Sequence, residues 1–184
     1  MTRLDRSNTV LVVIDVQEKL MPVIDAGEDV VRNIDRLVRG CHLLGIPAIL
    51  TEQYARGLGP TVAAIRNAFD ETTGYRPIEK NCFSAQRCDA FTAQLAALER
   101  KQVLVAGVET HVCVYQSIID LIGADYDVTV VADAVSSRTQ QNKSIALQRL
   151  MSEGTKISST EMALFELLVR SGSEEFRAVA RLVK

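Results

Sequence analysis

Asp15, Lys80 and Cys113 have side chains of complementary chemistry, and each follows a segment that reads as a strand. Cys113 lies in the stretch 103–123, VLVAGVETHVCVYQSIIDLIG. Val103 to Ala106 is a short buried-strand pattern that Gly107 breaks. From Val112 onward, Val114, Ile118, Leu121 and Ile122 recur at helical spacing, with Gly123 as the stop. Thr110 is placed to cap that helix, and Cys113 follows within its first turn. A thiol there meets unpaired backbone N–H groups and the positive end of the helix dipole, both of which favour the thiolate. An acid, a cationic base and a nucleophile on one edge of a sheet suit attack by sulfur on an electrophilic carbon. Each residue also has an ordinary alternative. Asp15 can simply cap the next element, Lys80 can be a solvated loop lysine, and Cys113 can be a small buried side chain.

The elements that would bring these residues together alternate between strand and helix along the chain. Apolar, β-branched runs at Thr9–Val16 (TVLVVIDV), Ile46–Thr51, Pro77–Lys80, Val103–Ala106, Asp127–Ala132 and Thr155–Ser158 read as strands. Between them, helical spacing marks Glu28–Leu44, a stretch strongest from Asp89, the segment from Val112 and Asn142–Glu153. Closing helices are predicted at Thr160–Val169 and Ser173–Val183. This order predicts an α/β fold: a three-layer α/β/α sandwich on a mainly parallel, roughly six-stranded, Rossmann-like sheet. Ligands of such sheets bind outside the carboxyl ends of the strands, where Asp15, Lys80 and the turn before Cys113 fall. Residues 55–75 carry Gly57, Gly59, Pro60 and Gly74, with a short helix at Val62–Phe69. They are the only stretch with the composition of a mobile loop or lid, and the sequence leaves open whether they form one. The turn after Ala132, DAVSSR, reads as polar loop.

At 184 residues the chain fits one domain, 1–184, large enough to bury roughly 70 % of its unfolded surface. Charged residues make up 24 % and the formal charge is −2, which gives no electrostatic argument for nucleic acid or an anionic membrane. No apolar run approaches the ~20 residues of a membrane span. The first residues, MTRLDRSNT, lack the apolar core of a signal peptide, so the cytoplasm is the expected location. There Cys41, Cys82, Cys88 and Cys113 are expected as free thiols. No CxxC is present, and His42 and His111 lie far apart, which does not match structural zinc. No glycine-rich phosphate loop follows the first strand, where the turn reads DVQEKLMPV; this argues against a nucleotide-binding domain.

Three segments, VVIDVQ around Asp15, EKNCFSA around Lys80 and AGVETHVCV around Cys113, resemble the isochorismatase-like cysteine hydrolases. DAVSSR and SSTEMALFELL near the C-terminus are also similar, so the resemblance spans nearly the whole chain in order. It implies a catalytic triad of Asp15, Lys80 and Cys113, and a cis peptide between Val108 and Glu109 in the turn before the nucleophile. The implied activity is hydrolysis of a small amide-type substrate through a thioester on Cys113. The Val112 and Cys113 N–H groups would hold the oxyanion and Asp15 would move the protons. A homo-oligomer, dimer or larger, and a small-molecule substrate are also implied. In this scheme Lys80 and the helix N-terminus stabilise the thiolate.

Two departures narrow the implied chemistry. Nicotinamidases of this family hold a metal with an Asp and two His after the second strand. Here that segment reads TEQYARGLG without His, so no metal and no other cofactor are expected. Isochorismatases proper cleave a vinyl ether without the thiol, and the presence of Cys113 points away from that reaction. The other readings are a binding protein of low turnover, a thiol redox sensor using Cys113 with Cys82 or Cys88, and a vinyl ether hydrolase. Gln17, Gln53 and Tyr54 follow strand ends and could line the pocket. His111 could pack locally or touch a partner subunit, as could Tyr115. Glu161 suits a first-turn carboxylate that stabilises its own helix.

Overall fold

The computed structural model describes residues 3–184; Met1 and Thr2, assigned above to the same single domain, lie outside the described residues. Six strands form one sheet: β1 (Thr9–Ile14), β2 (Ala48–Gln53), β3 (Ile78–Lys80), β4 (Gln102–Val108), β5 (Asp127–Ser136) and β6 (Lys156–Ser158). Their order is β3-β2-β1-β4-β5-β6, and every pair is parallel. The direction of winding reverses between β1 and β4. That switch point opens a crevice at the carboxyl ends of the two strands, one followed by Asp15 and the other leading to Cys113.

Strand β1 shows why the sheet is covered on both faces. All six of its residues are buried, and successive side chains alternate between two apolar layers. Leu11 and Val13 pack among α1 (Gly27–Leu43), α3 (Ala63–Asp70), α7 (Thr160–Leu168) and α8 (Glu174–Leu182), through Ile34, Leu37, Phe69, Leu164 and Val179. Val10, Val12 and Ile14 pack on the opposite face against α4 (Asp89–Ala97), α5 (Tyr115–Gly123) and α6 (Gln140–Ser152), through Phe91, Leu95, Ile118, Leu121 and Leu150. Thr139, Ser159 and Ser173 cap α6, α7 and α8 by accepting the N–H of Asn142, Met162 and Phe176.

The strands differ from the sequence reading chiefly at their carboxyl ends. β1 stops at Ile14, because Asp15 takes a left-handed backbone (φ 54°). β2 runs on through Glu52 and Gln53, whose polar side chains find partners described below. β4 continues past Ala106 because Gly107, at φ 123°, still pairs with Ile14 and Val135. A Cβ at Gly107 would lie 2.1 Å from the Ile14 carbonyl oxygen, so only glycine lets β4 approach β1 there. β5 extends through Ala134, Val135 and Ser136 where a polar turn was expected. The charge at Asp133 is absorbed by Thr160, whose N–H and hydroxyl donate to its Oδ1 at 2.8 and 3.0 Å.

Residues 55–75, where the sequence leaves open whether a lid forms, hold the short helix expected near Val62–Phe69 and pack against the sheet. They form α2 (Ala55–Leu58) and α3, with Ile65, Ala68 and Phe69 buried. Val62 N–H donates to the Val16 carbonyl (2.9 Å), and Glu18 N–H to the Pro60 carbonyl (3.0 Å). The buried Glu52 Oε1 accepts from Thr61 N–H (2.6 Å), Thr61 Oγ1 (2.7 Å) and the Tyr75 hydroxyl, so one carboxylate on β2 ties the middle of the segment to its end.

Candidate functional site

Asp15 follows the last residue of β1 and is fully buried at the carboxyl end of that strand. Lys80, the last residue of β3, reaches back past β2 to meet it: Nζ lies 2.7 Å from Asp15 Oδ2, with both side chains fully shielded from solvent. The ammonium also donates to Gln53 Oε1 (2.8 Å) and the carbonyls of Phe83 (3.1 Å) and Cys82 (3.3 Å). A buried ammonium needs such a cage, because each of its N–H groups has given up water. The second carboxylate oxygen, Asp15 Oδ1, accepts from Thr51 Oγ1 at 2.7 Å. Thr51 is a site residue that motif and spacing passed over, since a buried Thr in a strand ordinarily reads as packing.

Cys113 is brought to the same place by β4 and the turn after it. The Val108–Glu109 peptide is cis, and Thr110–Val114 forms a single π-helical turn leading into α5. Such π turns gather at functional sites. The thiol is 7 % exposed and lies close enough to Asp15 to feel its charge. Burial first, then the negative charge of Asp15, pushes the thiol up to about 12, with the Lys80 charge opposing them. The direction runs against the expected thiolate: burial and the Asp15 charge favour the neutral thiol over the help that Lys80 gives. Thr110 does not cap the helix as expected; it lies within the π turn, and its buried hydroxyl has no hydrogen-bond partner among the described residues. The Val112 N–H donates to the Glu109 carbonyl at 3.0 Å, so an oxyanion would share or displace that bond. The Glu109 carboxylate accepts from both the backbone N–H (3.0 Å) and Nε (3.1 Å) of Arg138, tying the turn before Cys113 to the residues just after β5.

The residues expected to line a pocket divide in the structure. Gln17 is fully buried and spends its amide on backbone, giving Nε2 to the carbonyls of Gln53 (3.0 Å) and Gly59 (2.7 Å) while Oε1 accepts from Gln53 N–H. It is a clasp, not a pocket wall. Gln53 faces Lys80 and gives its Nε2 to the Asn81 carbonyl. Tyr54 is 51 % exposed beside the crevice, its ring over Gly57. His111 Nδ1 pairs with Ser137 Oγ at 3.0 Å, and the residue joins Tyr115, Ile145 and Arg149 around a cavity of about 210 Å³. Cys82 and Cys88 are half-buried free thiols. Glu161 lies exposed in the first turn of α7.

Among the described residues, no group of three His, Cys, Asp or Glu side chains converges as metal ligands. Glu52, the carboxylate of the segment that binds metal in nicotinamidases, is committed to Thr61 and Tyr75. The donor set therefore does not fit a metal at this position. No helix among the described residues is long and apolar enough to cross a membrane.

The isochorismatase domain model matches residues 9–162. The chain is 37 % identical over 185 residues to the secreted isochorismatase effector Isc1 of Phytophthora sojae, covering 99 % of this chain and 87 % of that one. Among solved structures it is similar to the MAR1 ribonuclease of Caenorhabditis elegans, with TM-score 0.90 and 32 % identity over 99 % of this chain and 92 % of that one. It also shares the fold of the YcaC gene product of Escherichia coli, described as an octameric hydrolase of unknown specificity. That match has TM-score 0.87 and 23 % identity, covering 100 % of this chain and 88 % of that one.

Proposed function

The chain belongs to the isochorismatase family of hydrolases, and from that premise we propose that it is a cysteine hydrolase of a small amide-type substrate. The observation that carries the reading is one buried carboxylate, Asp15, held by the Lys80 ammonium at 2.7 Å and near enough to the Cys113 thiol for its charge to act there. Sulfur attacks the carbonyl carbon as its proton passes to Asp15; the C–S bond forms and the carbonyl pair moves onto oxygen. The Cys113 N–H, with the Val112 N–H shared from Glu109, offers the oxyanion its donors. The tetrahedral species collapses, the C–N bond breaks, and the departing nitrogen takes the proton from Asp15. Water then attacks the thioester, giving its proton to Asp15. As the C–S bond breaks, that proton returns to sulfur and the acid is released. Lys80 Nζ, 2.7 Å from Asp15 Oδ2, holds the carboxylate in place between transfers.

The expected single domain, 1–184, suits this reading, since all three residues project from one sheet. Oligomerisation is proposed by analogy with the octameric neighbour; exposed Ile145 beside His111 and Tyr115 offers a contact face close to the nucleophile turn. Four free thiols suit a reducing compartment such as the cytoplasm. A formal charge of −2 offers little attraction to an RNA backbone, which favours a small uncharged or weakly anionic substrate.

The test is a panel of small primary amides assayed for ammonia release, with an RNA oligonucleotide as comparison and Cys113→Ala as control. Amide turnover that disappears in Cys113→Ala, with an acyl adduct on Cys113 in the intact mass, supports the reading. Equal product from wild type and Cys113→Ala would remove cysteine catalysis, and cleavage of RNA alone would move the substrate class.

A further inference from the structure

Strand β2 supplies no member of the Asp15–Lys80–Cys113 set, yet two of its side chains end on that set. Thr51 pairs with Ile14 in the β1–β2 register, one residue before Asp15, and is fully buried. Gln53 lies two residues further along and so on the same face, while Glu52 between them serves the opposite face. Thr51 Oγ1 holds Asp15 Oδ1 at 2.7 Å, and Lys80 Nζ, itself held by Gln53 Oε1, holds Oδ2 at 2.7 Å. Two donors from different strands thus fix the plane of one carboxylate. A hydroxyl at this position is not a packing requirement. Valine has nearly the same shape, suits a buried strand at least as well, and brings no polar atom to satisfy.

We propose that Thr51 is a positioning residue for proton transfer by Asp15. Its hydroxyl stops the carboxylate rotating off Lys80 and favours the charged form, leaving the remaining lone pairs for the Cys113 proton. The inference rests on the reading of Asp15 as the proton carrier. The sequence signal is weak, because a Thr near the end of a buried strand carries no motif.

The two ideas separate in one experiment: the rate of acrylamide addition to Cys113, resolved by peptide mass spectrometry across the acid-to-neutral range. Wild type is compared with Thr51→Val, Thr51→Ser and Asp15→Asn, with Thr51→Ala as a second donorless variant in case Val does not fold. Wild-type labelling should rise from an acid-side midpoint as Asp15 ionises, and Asp15→Asn should abolish that rise. In Thr51→Val or Thr51→Ala the midpoint should move up by about one pH unit, because the charged form has lost a donor. Thr51→Ser, which keeps the hydroxyl, should restore the wild-type midpoint. If Asp15→Asn labels with the wild-type profile, the proton-carrier reading fails and Thr51 falls with it. If Asp15→Asn loses the rise while the donorless variants keep the wild-type midpoint, the Thr51 proposal alone is overturned. A lower melting temperature with an unmoved midpoint overturns it equally, since packing alone would account for that result.

Discussion

The Lys80 ammonium lies 2.7 Å from the Asp15 carboxylate, and neither side chain touches solvent. Burying two charges is costly, and the pair is compensated by Thr51 on one side and by Gln53 and two carbonyls on the other. Removing one partner of such an ion pair is therefore more damaging than removing both.

Lys80→Met is expected to lower unfolding stability by about 3–5 kcal/mol, because it leaves a buried carboxylate without its counter-charge. The double variant Asp15→Asn/Lys80→Met should lose less than the sum of the two single changes. Urea unfolding of all four proteins measures this; additive losses would mean that the two side chains do not compensate one another.

Stability should decline on the alkaline side. Burial raises the thiols of Cys41 and Cys113 from 9.0 to about 12 in the folded state. Between those values the unfolded chain has lost protons that the native state keeps, so unfolding stability falls as pH rises. Below about 9 the contribution is complete, and it is lost progressively toward about 12. Urea midpoints followed through this window should drop less steeply in Cys41→Ala than in wild type, and an unchanged slope would contradict the burial effect.

Tyr75→Phe removes one of the three donors to Glu52. The expected cost is about 1–2 kcal/mol, with faster amide exchange concentrated in residues 55–75. Exchange that rises evenly over the whole chain would show that Glu52 does not pin this segment in particular.

Gly107→Ala would place a Cβ 2.1 Å from the Ile14 carbonyl in a backbone at φ 123°. The combined strain and overlap should amount to about 3 kcal/mol or more, seen as loss of folded protein or a steep drop in melting temperature. A well-folded Gly107→Ala with unchanged stability would mean that β4 can withdraw from β1 without cost.

The pattern of residues determined the layers and their order, because strand and helix periodicities are local properties of the chain. Thr9–Val16 reads as a doubly covered strand, and β1 does pair in parallel with strands on either side, β2 and β4. Asp15, Lys80 and Cys113 were legible for the same reason: each follows a run whose direction the alternation fixes. What lay beyond local reading were relations between strands. Thr51 looks like a strand residue and Gln53 like a pocket residue until the register sets them beside Asp15 and Lys80. Gln17 looks like a pocket residue until its amide is consumed by Gln53 and Gly59. Residues 55–75 look loose until Glu52, separated from Thr61 and Tyr75 along the chain but adjacent to both in space, closes them. The protonation of Cys113 also belonged to the tertiary structure. A helix start and a lysine favour the thiolate, but burial and the Asp15 charge outweigh them, and both depend on what folds over the sulfur.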